Sequence, residues 1–77
     1  MGKEAEIEKF VINKVRERRA SLRISQAALA QLLDVSEGFI GNVENPNYPE
    51  KYNLKHLNEL AKILKCSPKD FMPDEPL

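Results

Sequence analysis

The sequence has a single cysteine, Cys66, and a single histidine, His56. No intrachain disulfide can form, and two such residues cannot build a four-ligand zinc site, so neither staple nor metal is expected. Charge of one sign is also lacking, with twelve basic residues against twelve acidic ones. A neutral balance weighs against nucleic-acid binding, because phosphate neutralisation supplies most nonspecific affinity. No apolar run approaches the ~20 residues of a membrane span, and the start carries no secretory apolar region. The expectation is a soluble, cytoplasmic chain. Strand alternation, internal repeats and low-complexity tracts are absent as well.

What remains is a helical pattern over 77 residues, enough for one domain and too little for two. A domain of this size buries a modest share of its surface and is marginally stable. With no disulfide or metal, pairing with a second copy is the stabilising option left.

Ile7, Val11 and Val15 recur every fourth residue beside Phe10, which predicts an amphipathic helix from Ala5 to Ser21. The next position on that stripe is Arg19, a charge that needs a partner if it faces the core. Arg19 lies in a basic run with Lys14, Arg16, Arg18 and Arg23, opposed only by Glu17. Such a run is either a solvated helix face or a phosphate-neutralising one, and the sequence leaves both open.

Ser25 predicts the N-cap of a second helix, Gln26 to Leu33, with Leu29, Ala30 and Leu33 inward. Asp34 suits the left-handed conformation of a tight turn, and Ser36 caps a third helix from Glu37 to about Glu44. Ile40 and Val43 are its apolar face, and Asn45 before Pro46 ends it. Residues 45–53 are turn formers and predict one long loop. Asn53 opens a fourth helix to Leu64, striped by Leu57, Leu60, Ala61 and Leu64. Ser67-Pro68 opens a short fifth helix to about Met72. The expected division is a disordered N-terminus over 1–4, one helical domain over 5–72 and a tail over 73–77. His56 falls on the polar face of the fourth helix with no nucleophile or carboxylate spaced to join it, so no enzyme and no cofactor is expected.

Two short helices joined by a tight turn between Ser25 and Glu44 have the proportions of a helix-turn-helix, a weak signal by itself. The residues add specificity. Ser25-Gln26-x-x-Leu29-Ala30-x-x-Leu33-x-Val35-Ser36-x-x-x-Ile40-x-x-Val43-Glu44-Asn45 resembles the helix-turn-helix of phage Cro and repressor proteins, the XRE family. The likeness continues through Leu54, Leu57, Leu60, Ala61, Leu64, Cys66, Ser67 and Phe71, and spans about residues 10–72.

The resemblance implies an all-α, five-helix, lambda-repressor-like DNA-binding domain that regulates transcription, as a repressor acting as a homodimer. An antitoxin-like protein that also binds a toxin, and an interaction module that has lost DNA binding, are the alternatives. The family's pairing of a helix 1 arginine with the last glutamate of the recognition helix implies an Arg19–Glu44 structural salt bridge. Double-stranded DNA is the implied partner, met by Ser25 and Gln26 at the start of helix 2 and by Ser36, Glu37, Gly38, Gly41 and Asn42 on helix 3. Asn42 suits adenine and Glu37 suits cytosine N4. Lys51 and Tyr52 in the long loop are placed to reach phosphate, and Phe39 either meets DNA or covers the core edge. Apolar Leu32, Ile63, Phe71 and Met72 imply a dimer surface near helix 5 and the tail. Helix 3 departs from an ordinary binder in carrying no Lys or Arg and two glycines.

Overall fold

The helix starts predicted at Ser25, Ser36 and Asn53 are each closed by that residue's own side chain. Ser25 Oγ accepts from the Ala28 N–H at 3.0 Å, Ser36 Oγ from Phe39 at 3.0 Å, and Asn53 Oδ1 from His56 at 2.7 Å. Each cap satisfies one of the backbone donors that a helix start leaves unpaired. The computed structural model describes residues 5–77 and contains α1 (Glu6–Ser21), α2 (Gln26–Leu33), α3 (Glu37–Val43) and α4 (Leu54–Ile63). The expected disorder of residues 1–4 lies outside the described residues.

The fifth helix is a single 3₁₀ turn, Pro68–Phe71, and not an α-helix. Ser67 and Asp70 hold its first turn, with Asp70 Oδ2 accepting from the Ser67 N–H at 2.9 Å. Pro73 follows two residues after its end and supplies no N–H to extend it. Among the described residues there is no strand, and no helix is long and apolar enough to cross a membrane.

Three helix ends turn through left-handed residues, Arg23, Asp34 and Lys65, with φ of 60°, 62° and 60°. Asp34 was expected there. Arg23 and Lys65 are less suited to that region, and Lys65 is held by Arg18, which donates to the Leu64 and Lys65 carbonyls at 2.9 and 3.0 Å. Arg18 thereby closes the C-terminus of α4 from α1, where a cation also meets the negative end of the helix.

The core joins Val11 and Val15 of α1, Leu29, Ala30 and Leu33 of α2, Ile40 of α3, and Leu57, Leu60, Ala61 and Leu64 around α4. Phe71 completes it. Expected on an exposed dimer surface, Phe71 is instead 1% exposed, because the 3₁₀ turn folds its ring back between α1 and α4. Burying such a side chain stabilises the fold by roughly 1.5–3 kcal/mol, and a ring so enclosed offers no surface to a partner. Ile63 is half-buried against the same core, whereas Met72 and Leu32 are exposed.

Candidate nucleic-acid interface

The α2–turn–α3 unit is fixed to α1 by one cluster of polar groups. Arg19 donates through Nε and Nη2 to the two oxygens of Glu44, at 3.0 and 2.8 Å. Its Nη1 donates to the Ile24 carbonyl at 2.9 Å. Gln26 Nε2 adds a third donor to the Glu44 carboxylate at 2.9 Å. The pair is nearly enclosed, with side-chain exposures of 14% for Arg19 and 5% for Glu44. A fork-to-fork pair of this kind keeps a buried charge satisfied and ties α1 to the C-terminal end of α3. The partner that the arginine on the core stripe required is therefore present.

Residues 38, 41 and 42 lie on the face of α3 away from Ile40 and Val43, with Glu37 at its flank. Glu37 and Gly38 are exposed, and Gly41 and Asn42 are half-buried. Neither glycine is required by the fold. Both keep helical backbone, and a Cβ would come no closer than 3.9 Å to a neighbour at Gly38 and 3.7 Å at Gly41, ordinary contact distances. Gln26, whose Oε1 is that neighbour of Gly41, is half-buried, so it bridges the Glu44 cluster and the outer face of α3. Ser25 and Ser36 are exposed, with their hydroxyls engaged as caps.

Asn42 is not free. Its Nδ2 donates to Glu50 Oε2 at 3.2 Å, a contact that nothing in the sequence pattern announced. Glu50 comes from the long loop, eight residues on. The same loop turns Tyr52 inward instead of toward a backbone. Its ring packs on Phe39 and His56, at centroid distances of 6.2 and 6.0 Å, and Phe39 meets His56 at 5.2 Å. The Tyr52 hydroxyl is buried, and burial, reinforced by the Glu44 charge, pushes it well above the ordinary tyrosine range. Tyr52 thus holds no phosphate, and Phe39 covers the core edge. Lys51 donates to the Tyr48 and Glu50 carbonyls, both at 3.2 Å, and is half-buried.

His56 returns the favour of its cap: its Nδ1 accepts from the Asn53 N–H at 3.0 Å. The proton of the neutral ring then sits on Nε2. Partial burial, and next the charge of Lys55, hold its pKa below the usual histidine value. The Cys66 thiol is pushed up, mainly by burial.

Two packed helices, a left-handed turn at Asp34 and an outward α3 make the geometry of a helix-turn-helix, and the family model for Cro/C1-type helix-turn-helix DNA-binding domains matches residues 14–76. The chain belongs to this Cro/C1-type family. Among solved structures it is similar to the restriction-modification controller protein C.AhdI from Aeromonas hydrophila, with a TM-score of 0.70 and 26% identity over 80% of this chain and 91% of that one. It is also similar to the hydroxypropylphosphonic acid epoxidase from S. wedmorenis, with a TM-score of 0.74 and 25% identity over 87% of this chain but 35% of that one. The same epoxidase in complex with fosfomycin gives a TM-score of 0.74, 25% identity and coverage of 90% and 36%. This Cro/C1-type chain thus spans about a third of the epoxidase, and the likeness carries the helical fold and no activity. No curated protein matches.

Proposed function

We propose that the chain is a non-enzymatic transcriptional regulator that binds double-stranded DNA sequence-specifically, with α3 in the major groove. The observation that carries this is a Cro/C1-type helix-turn-helix braced by the Arg19–Glu44–Gln26 cluster, whose outer α3 face bears two glycines that no internal packing requires. A helix surface without side chains lets a backbone or base edge approach closely. Asn42 and Glu37 read base edges, Ser36 and the helix starts at Ser25 and Gln26 take backbone contacts, and Lys51 adds a loop contact. The unit acts in the cytoplasm as a homodimer that represses by occluding its site.

The charge distribution favours a second reading, in which the domain binds a protein partner, such as a toxin, in addition to or instead of DNA. Net charge is zero, α3 has no cation, and Arg18 and Arg19 are spent on internal bonds. Selection from a random duplex pool, followed by a salt titration of the selected and random duplexes, separates the two. Enrichment of one motif with a salt-dependent affinity supports the DNA reading. Absence of enrichment and of any salt-dependent duplex binding overturns it.

A further inference from the structure

We propose that Glu50, in the loop after α3, is a positioning residue for base recognition that sets which edge of the Asn42 amide faces DNA. The inference rests on the DNA-binding reading above. An asparagine amide has two faces, an oxygen that accepts and an NH2 that donates, and rotation by half a turn exchanges them. Adenine is read in the major groove by an amide that presents both at once, accepting from N6 and donating to N7. A free asparagine on an exposed helix samples both orientations, and one of them places like groups against each other.

Glu50 removes that freedom. An ionised carboxylate only accepts, so it holds Nδ2 and turns Oδ1 away from the loop. The contact is 3.2 Å, and both residues are half-buried. One N–H is engaged by Glu50, and the second N–H remains with Oδ1 for a base. The other carboxylate oxygen, Oε1, is buried and makes no hydrogen bond, so among the described residues the Asn42 amide is the side chain's one hydrogen-bonding partner. Ordering the amide before binding also lowers the entropy cost of the contact. A carboxylate near phosphates repels them, so the same residue lowers affinity for every sequence while raising discrimination.

A double-mutant cycle on the selected operator reads this out, with affinities for the preferred duplex, a duplex altered at the Asn42 base pair, and random duplex. N42A should lose roughly 5- to 150-fold in the ratio of preferred to altered duplex. E50A should lose a comparable factor at the same base pair while binding random duplex at least as tightly as the wild type. The pair E50A/N42A should lose no more than N42A alone, because Glu50 acts through Asn42. E50Q, which keeps the shape but offers a donor as well, should fall between wild type and E50A. Side-chain amide NMR of the free chain should show the Asn42 NH2 shifted on passing from wild type to E50Q. A ratio unmoved by E50A, an additive double mutant or an unaltered NH2 signal overturns the proposal and leaves DNA binding standing. A ratio that rises in E50A assigns Glu50 as a blocker and also overturns it. No duplex binding by the wild type overturns both readings.

Discussion

Single residues here carry unequal weight, and Glu44 carries the most. Its carboxylate accepts from Arg19 twice and from Gln26 once, at 5% exposure. Removing it alone, as E44A, strands a guanidinium that is almost enclosed, and the expected loss is about 3–5 kcal/mol of folding stability. Replacing Arg19 and Glu44 together by Met and Leu should cost clearly less, since no charge is left unpaired. Urea melts of the two variants check the order. Equal and small losses in both would mean that the pair is solvated and does not brace α3.

At the scale of elements, α3 is built against its own stability. Gly38 and Gly41 occupy helical positions with room for a methyl group. G38A and G41A should each stabilise the free chain by up to about 1 kcal/mol, measured by thermal melting. Under the close-approach reading the same substitutions should weaken binding to the selected duplex. Tighter or unchanged binding would show that the glycines make no room for DNA. Helix α4 carries a different dependence. His56 Nδ1 accepts its cap's N–H, and its folded pKa lies below the unfolded value of about 6.5. Below that value the unfolded chain binds more protons, so this contribution is complete above pH 6.5 and is lost as pH falls through the folded pKa. Melting temperatures between pH 7.5 and 5 should therefore fall more for the wild type than for H56Q. Parallel curves would place the ring outside the cap.

For the whole molecule, the question is how a neutral domain acquires enough affinity. Helix α3 offers one asparagine, one glutamate and no cation, so one copy reads few base pairs. Two copies related by a two-fold axis roughly double the contacts, and that symmetry is the commonest among oligomers. The operator should then be an inverted repeat with half-sites ~34 Å apart or a multiple of that. With Phe71 in the core, the exposed apolar residues left for a contact near the tail are Met72 and Leu77, with Ile63 half-buried beside the core. Sedimentation of wild type and M72D, with gel shifts on the selected duplex, tests this. A monomer on an asymmetric site would rule out the paired arrangement, and a dimer unaffected by M72D would move its contact elsewhere.

Four helices, their caps at Ser25, Ser36 and Asn53, the turn at Asp34 and the need of Arg19 for a partner are all legible in the sequence. These are local matters: a cap is decided within three residues, and a core stripe by its 3.6-residue period. The family resemblance supplied Glu44 as that partner, and the structure placed it there at hydrogen-bond distance. What Phe71, Tyr52, Arg18 and Glu50 do follows from long-range packing alone. Phe71 and Tyr52 lie in irregular segments outside the α-helices, and whether each faces out or in depends on how the 3₁₀ turn seats against α1 and α4 and how the loop before α4 is routed. Arg18 stands beside Arg19 in the same basic run, yet it reaches the carbonyls of residues 46 and 47 positions away. Glu50 meets Asn42 because a loop rich in proline and asparagine doubles back across α3. No periodicity encodes such a contact, because it is fixed by the path of the loop.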